Sequence, residues 1–306
     1  MAEAPLFGSD LPPGHRSGFI SIVGRPNVGK STLLNRVLGR KIAAVTPKPQ
    51  TTRRRLLGIK TRDTAQLLFL DTPGIHATRD LLTERMVERA VASLSEADVA
   101  LWVLAASDGL TAADRDVAAR LPSGRKPIIV ALNKIDAVAK AALLPTLAAV
   151  AALMPDRPVV PVSAQTGENV EELLRTIEAT LSEGPRYYPA DELTDEPERA
   201  IVAEIVREKV MMATREEVPY AIAVSVDAFE EKPEKHVVVI TATIHVARDS
   251  QKPIVIGERG ARLKTIGQSA RRDIEALLGT RVFLELFVRV QENWTSQPAR
   301  LRDFGL

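Results

Sequence analysis

The chain has 306 residues, 45% apolar and 26% charged, with a net charge of +2. That is too long for one ordinary domain and suits two, and the composition excludes a disordered or collagen-like chain. There is no cysteine, which excludes disulfides, a thiolate nucleophile and cysteine-held zinc and suits a reducing compartment; no apolar run approaches the roughly 20 residues that cross a bilayer, and no leader is expected.

Residues 1–16 hold three prolines, two glycines and no hydrophobic period, and read as a flexible tail. From Gly18 onward, strand-like and helix-like segments alternate. Phe19–Val23 reads as a short strand and Ser31–Leu38 as a helix. Leu56–Thr61 and Gln66–Leu70 flank a polar turn and read as a hairpin. Leu81–Leu94 has helical spacing. Val99–Leu104, Ile128–Leu132 and Val159–Val162 read as buried strands, with helices near 111–120, 138–153 and 168–182. Such alternation predicts a mixed, mostly parallel sheet with helices on both faces, the hairpin adding one antiparallel edge.

The pattern stops near Gly184-Pro185. Residues 185–199 are rich in proline and acids and are expected to form a linker. A helix over 200–213 follows, then strands Tyr220–Asp227 and His236–Val246 around a charged loop. Next come helices Ile254–Ile256 and Ala261–Leu278, separated by a glycine-containing turn, and a strand Val282–Val290. The expected division is a tail 1–16, a domain 17–184, a linker 185–199, and a second α+β domain with a C-terminal tail over 200–306.

The small net charge conceals an asymmetry. Residues 1–62 carry 12 Lys and Arg against Glu3 and Asp10, and residues 248–272 carry seven against Asp249 and Glu258. Two basic stretches in a near-neutral chain point to polyanion contact.

Gly24-Arg25-Pro26-Asn27-Val28-Gly29-Lys30-Ser31 fits G-x-x-x-x-G-K-[ST], follows a strand and opens a helix. Its N–H groups, from Asn27 through Ser31 and Thr32, are expected to cradle phosphate oxygens. Lys30 reaches the β- and γ-phosphates, and the Ser31 hydroxyl suits Mg²⁺. Asp71-Thr72-Pro73-Gly74 closes the next strand. There Asp71 faces the metal and the Gly74 N–H faces the γ-phosphate. Asn133-Lys134-Ile135-Asp136 follows a third strand. A carboxylate at Asp136 matches the two donors of guanine and would be left unpaired by adenine. Asn133 ties this loop to the phosphate loop, and the Lys134 stem covers the base. Ser163-Ala164-Gln165-Thr166-Gly167 follows a fourth strand and offers the Ala164 N–H to guanine O6. All four motifs stand at strand ends, where ligands bind in open α/β sheets.

This set resembles a translation-factor-type P-loop GTPase domain, over residues 18–182. The resemblance implies GTP or GDP as the bound nucleotide and Mg²⁺ held by Ser31, Asp71 and a switch-loop threonine. That threonine is expected to be Thr52, with Thr51 as the alternative. Hydrolysis is then expected to rest on Lys30, Thr52, Gly74 and Asn27. Ile75 stands where Ras-like enzymes carry a water-orienting glutamine, and an aliphatic side chain cannot orient water. Slow intrinsic turnover follows, or a different device. The pattern is similar to a subgroup in which a P-loop asparagine, here Asn27, helps hold K⁺ near the phosphates.

In the second half, Ile254-Val255-Ile256-Gly257-Glu258-Arg259-Gly260-Ala261 places Gly-x-x-Gly between two helices. Such a turn lets a nucleic-acid backbone approach closely. Arg259, Arg262, Lys264 and Arg271 supply charge, with Glu258 in the turn itself, and Ile254, Ile256 and Ile266 are expected to floor a groove for single-stranded bases. Phe229, Phe283, Phe287 and Trp294 are expected in core or edge positions. The element order resembles a type II KH domain over roughly 200–292. A GTPase followed by such a domain resembles the bacterial Era-type GTPases over nearly all of residues 17–306. That resemblance implies contact with small-subunit ribosomal RNA near its 3′ end, a part in 30S subunit maturation, and peripheral contact with the inner face of the cell membrane in some members. A cytoplasmic monomer is expected. The competing reading is a nucleotide-gated adaptor whose KH-like domain docks a protein or membrane partner.

Overall fold

A computed structural model describes residues 11–74, 81–122, 124 and 126–305. Ile75, most of the expected 1–16 tail and the far half of the loop after Asp71 lie outside the described residues. The chain divides into two units. The first contains residues 11–39, 52–74 and 86–195; the second contains 40–51, 81–85 and 196–305.

The first unit is built on a six-stranded sheet of order β2-β3-β1-β4-β5-β6. Its elements are β1 (Arg16–Val23), α1 (Lys30–Leu38), β2 (Leu56–Thr61), β3 (Ala65–Asp71), α2 (Leu81–Glu96) and β4 (Val99–Ala105). They continue as α3 (Ala112–Ala118), β5 (Ile128–Asn133), α4 (Lys140–Leu153), β6 (Val159–Pro161) and α5 (Val170–Thr180). All neighbours pair in parallel except the β2–β3 hairpin. β3, β4 and β5 are buried at every residue. Strands covered on both faces read as continuous apolar runs, which is why Ala65–Asp71, Val99–Ala105 and Ile128–Asn133 show no alternation. On one face Trp102, Leu104, Val130 and Leu132 pack against Ala90 and Leu94 of α2, Val117 of α3 and Val150 of α4.

β1 begins at Arg16, three residues before the expected start. It is drawn out by pairing with β3 from Ala65 onward. His15 and Arg16 are anchored to the carbonyls of Gly184 and Leu181, so residues 15 and 16 do not belong to a free tail. Residues 185–195 are not a free linker either. The Gln66 carboxamide oxygen accepts the N–H groups of Tyr187 and Tyr188, at 2.8 and 3.0 Å, and the Ile59 N–H donates to the Leu193 carbonyl at 2.8 Å. This strap lies along the β2–β3 hairpin and covers a strand edge that would otherwise be open.

The second unit holds α6 (Glu198–Ala213), β7 (Ile222–Lys232), β8 (Val237–Val246), α7 (Gln251–Ile256), α8 (Ala261–Leu278), β9 (Arg281–Val290) and a short α9 (Pro298–Asp303). The sheet order is β7-β8-β9, antiparallel then parallel. The charged loop expected between the first two strands is mostly strand. Glu230, Glu231 and Lys232 continue β7, because an edge strand facing water tolerates charge. A register shift at Val226/Ala228 lets the longer strand keep its pairing. Ile240, Ile244, Ile266, Ile274 and Trp294 form fully buried core. Among the described residues no helix is long and apolar enough to cross a membrane.

Candidate functional site

The phosphate loop joins β1 to α1. Gly29 ends it at φ 100° and caps α1. A methyl there would stand 2.3 Å from the Asn133 Nδ2, so glycine is required by both backbone and space. The Lys30 ammonium is buried and donates to the carbonyls of Gly24 and Arg25, each at 3.0 Å. Burial pushes it down to about 8, against the pull of Asp71. Gly74 lies beside it, since a methyl on Gly74 would be 3.2 Å from the Lys30 Nζ.

Three oxygen-bearing side chains converge next to this lysine. The Ser31 hydroxyl donates to Asp71 Oδ2 at 2.7 Å and lies 2.9 Å from the Thr52 hydroxyl, which is itself 3.4 Å from Asp71. The Thr51 hydroxyl turns away, to the Lys48 carbonyl and Thr46. Asp71 is fully buried, and among the described residues its second oxygen, Oδ1, has no hydrogen-bond partner. Burial raises its pKa above the ordinary carboxylate value, against Lys30, Ser31 and Thr52. A buried, half-satisfied carboxylate beside two hydroxyls is the oxygen set that a hard divalent cation takes. The Thr72 hydroxyl fixes this strand end by donating to the Ile22 carbonyl at 2.9 Å.

The base-recognition loops meet the phosphate loop through Asn133. Its Nδ2 donates to the Val28 carbonyl at 2.8 Å, and its Oδ1 accepts the Ala164 N–H at 2.9 Å. The Ala164 N–H, expected to be free for guanine O6, is thus donated to Asn133. The asparagine joins two loops by donating one hydrogen bond and accepting another. Lys134 is held in the left-handed region at φ 65° and donates to the Asn27 carbonyl at 2.7 Å. The Ser163 hydroxyl donates to Asp136 Oδ1 at 2.6 Å, leaving the other carboxylate oxygen directed elsewhere. Thr32 continues the first turn of α1 behind Ser31.

Two arginines at this site escaped the sequence reading. Arg36 of α1 donates to the Ala164 carbonyl at 3.0 Å and to the Gln165 carbonyl, holding the fourth loop. Arg25 pairs with Asp108 and with the fully buried Asp114, which also accepts from Thr111. No local signal marks either, because a lone arginine reads as solvated surface. Removing Arg25 strips Asp114 of a charged partner, a loss of about 1–3 kcal/mol. Arg25→Met is therefore expected to lower the melting temperature and to speed release of a fluorescent GDP analogue; an unchanged release rate would refute any link from this pair to the phosphate loop.

In the second unit, the turn between α7 and α8 has Gly257 at φ 75°, ψ 175° and Gly260 at φ 80°. Ile254, Glu258, Arg259, Arg262, Lys264 and Arg271 are exposed along it, and Ile256 is half-buried. Arg262 donates to the Ile254 carbonyl and so caps α7, a second task beside its expected phosphate contact. The expected groove floor differs. Ile266 is turned into the core. A groove of about 460 Å³ is lined by Gly260, Leu263, Lys264, Arg271, Phe283 and Leu286. Leu263 and Gly267 line the groove with residues of β9, while Ile266, a fraction of a turn further around α8, is buried. Trp294 is buried, but Phe283 and Phe287 are about half exposed on β9, where the sequence alone left core and edge open.

Residues 19–134 match the family model described as 50S ribosome-binding GTPase, and residues 217–295 match the KH domain model. The GTPase Era of Geotalea daltonii is 50% identical, covering 94% of this chain and 97% of that one. The GTPase Era of Geobacter metallireducens is 49% identical over 95% of this chain and 97% of its own. A crystal structure of Era in complex with MgGDPNP and nucleotides 1506–1542 of 16S ribosomal RNA superposes with a TM-score of 0.91, at 44% identity, covering 95% of this chain and 99% of that chain. A structure of Aquifex aeolicus Era bound to GDP and AlF4⁻ gives a TM-score of 0.90, also at 44% identity, with coverage of 95% and 99%.

Proposed function

The chain belongs to the Era family of GTPases, and from that membership and the two sites above we propose a GTP-driven switch that binds small-subunit ribosomal RNA near its 3′ end and serves 30S subunit assembly. The observation that carries the reading is the convergence of four motif loops at the ends of β1, β3, β5 and β6 in the first unit, in a chain whose second unit carries a basic Gly-x-x-Gly groove. The full-length relatives weigh more than the large-subunit wording of the shorter family model, because they cover both units.

In this reading Asp136 selects guanine, and Asn133 and Lys134 hold the base loop to the phosphate loop. Lys30 neutralises phosphate charge, and a bound phosphate favours the charged form that burial disfavours. Ser31, Thr52 and Asp71 would hold Mg²⁺, which neutralises charge on the β- and γ-phosphate oxygens. Asp71 Oδ1, buried and without a partner among the described residues, supports that placement. Ile75 offers no group to orient water, so unaided turnover is slow. Asn27, in the left-handed region at φ 64°, is proposed to help hold K⁺ against the phosphates. Such neutralisation replaces an arginine finger, worth about 10³–10⁵ in other GTPases. The Gly257–Gly260 turn clamps the RNA backbone, with Arg259, Lys264 and Arg271 on the phosphates. The cytoplasm, where GTP and assembling subunits meet, is the proposed place of action.

The test is GTP turnover in KCl and in NaCl, each with and without single-stranded RNA matching the 3′ end of small-subunit ribosomal RNA. We expect faster turnover in KCl, further stimulation by the RNA, and RNA affinity that falls steeply with salt. No RNA bound in either nucleotide state, with turnover indifferent to RNA, would favour the adaptor reading. Equal turnover in KCl and NaCl would remove K⁺ and the role given to Asn27.

A further inference from the structure

Thr52 belongs to the first unit, yet residues 40–51 just before it belong to the second. Within the second unit, several contacts hold this segment, and three of them matter here. Glu208 of α6, only 2% exposed, accepts the Val45 N–H at 2.8 Å and the Lys41 ammonium at 2.6 Å. Lys41 also reaches Asp273 of α8 at 2.7 Å, and Lys209 joins the same two carboxylates. Two acids and two bases thus close a neutral set, which is what makes a buried carboxylate such as Glu208 tolerable. Burial opposes the charge on Asp273, but hydrogen bonds from Lys209 and Lys41 overcome it and hold the carboxyl below its usual range. Second, Lys48 donates to the carbonyls of Met211 and Thr214, at the end of α6. Third, Arg207, also 2% exposed, is fixed by Glu204 at 3.0 and 3.1 Å and donates to the Thr51 carbonyl.

The Thr51 carbonyl is therefore bound by α6, and the next residue offers its hydroxyl to Ser31 and Asp71. One planar peptide joins them, with Cα atoms about 3.8 Å apart. A hydrogen-bonded or metal-ligating hydroxyl tolerates little displacement, so the backbone at residue 51 limits where the Thr52 hydroxyl goes. Asp273 also lies two residues beyond Arg271, on the helix that opens at the Gly-x-x-Gly turn and lines the groove with Lys264 and Arg271.

We infer that Arg207 and Glu208 are positioning residues for the GTP site. They set the backbone of residues 40–51 and, through it, the metal-facing Thr52, so that GTP is told from GDP partly by residues of the KH unit. This rests on the reading that Thr52 closes on the metal and the γ-phosphate. GDP lacks that phosphate, so losing the positioning costs GTP binding and not GDP binding. By linkage, a ligand that shifts α8 through the groove changes GTP affinity by the same factor that GTP changes its own.

The test uses the full chain and fluorescent analogues of GDP and GDPNP with Mg²⁺. Glu208→Gln and Arg207→Met are each expected to weaken GDPNP binding about tenfold, the value of one charge-assisted hydrogen bond, and to leave GDP binding within about twofold. RNA stimulation of turnover is expected to fall with them. Lys48→Met, which leaves no buried acid behind, is expected to act in the same direction and keeps the test valid if Glu208→Gln does not fold. Wild-type GDPNP-to-GDP ratios in all three variants would overturn the inference. So would equal losses for GDP and GDPNP, which mark a merely structural role. Thr52→Ala separates the premise from the inference: if it leaves the ratio and the turnover unchanged, the reading of Thr52 itself is wrong.

Discussion

Asp136→Asn is expected to lose GTP and gain xanthosine triphosphate. Ser163 holds Asp136 Oδ1 at 2.6 Å, which orients the carboxylate and leaves acceptor sites on it for the base. Guanine brings two donors to that edge, and each charge-assisted bond is worth about 1.5–3 kcal/mol. Losing both costs about 10²–10⁴ in GTP affinity. An asparagine amide instead presents a donor, which meets the carbonyl that xanthine carries in place of the guanine amine. Turnover of xanthosine triphosphate by the variant should then approach wild-type turnover of GTP, because the phosphate and metal residues are untouched. Competition between the two nucleotides for the variant checks this. A variant that still prefers GTP would refute the assignment of Asp136 to the base.

Gly257→Ala is expected to remove most RNA binding while sparing unaided GTP turnover. Gly257 sits at φ 75°, ψ 175°, a region that belongs to glycine. A methyl there would stand 2.6 Å from the Arg262 Cβ and 2.9 Å from its backbone nitrogen. The backbone strain alone is of order 1–3 kcal/mol, and the turn must move to relieve the clash. Arg262, which caps α7 through the Ile254 carbonyl, moves with it. RNA affinity should drop at least about tenfold. Replacing Arg259 by Gln makes a milder companion: weaker binding to every sequence and a salt slope reduced by about one contact. Undiminished RNA binding by Gly257→Ala would place the RNA elsewhere on the chain.

Much of this was legible because it is local. Gly24–Ser31 announces its turn through glycines, Lys30 and Ser31, and the apolar spacing of the next residues marks the helix that follows. The strands Val99–Ala105 and Ile128–Asn133 are apolar throughout, and their length and flanks separate them from helices. Other features depend on residues far apart in sequence. Ile266 reads as a groove residue beside Ile254 and Ile256, but it stands a fraction of a turn around α8 from Leu263 and is buried in the core. Glu230–Lys232 read as loop by charge, and pairing with Val237–Val239 makes them strand.

The sequence by itself determined the four motif loops, their order at the strand ends, the two-domain plan and the basic Gly-x-x-Gly turn. Those follow from short-range backbone geometry, from hydrophobic spacing and from side-chain chemistry that needs only a few neighbouring residues. Only the tertiary structure decided that residues 40–51 side with the KH unit, that Gln66 straps residues 187–188 to the β2–β3 hairpin, and that Asn133 takes the Ala164 N–H. It also decided that Thr52, and not Thr51, meets Ser31 and Asp71. Each of these is a pairing between groups dozens of residues apart or a choice between adjacent equals. Nothing in the local sequence separates two threonines in a row; the separation comes from the distant arginine that takes the carbonyl between them.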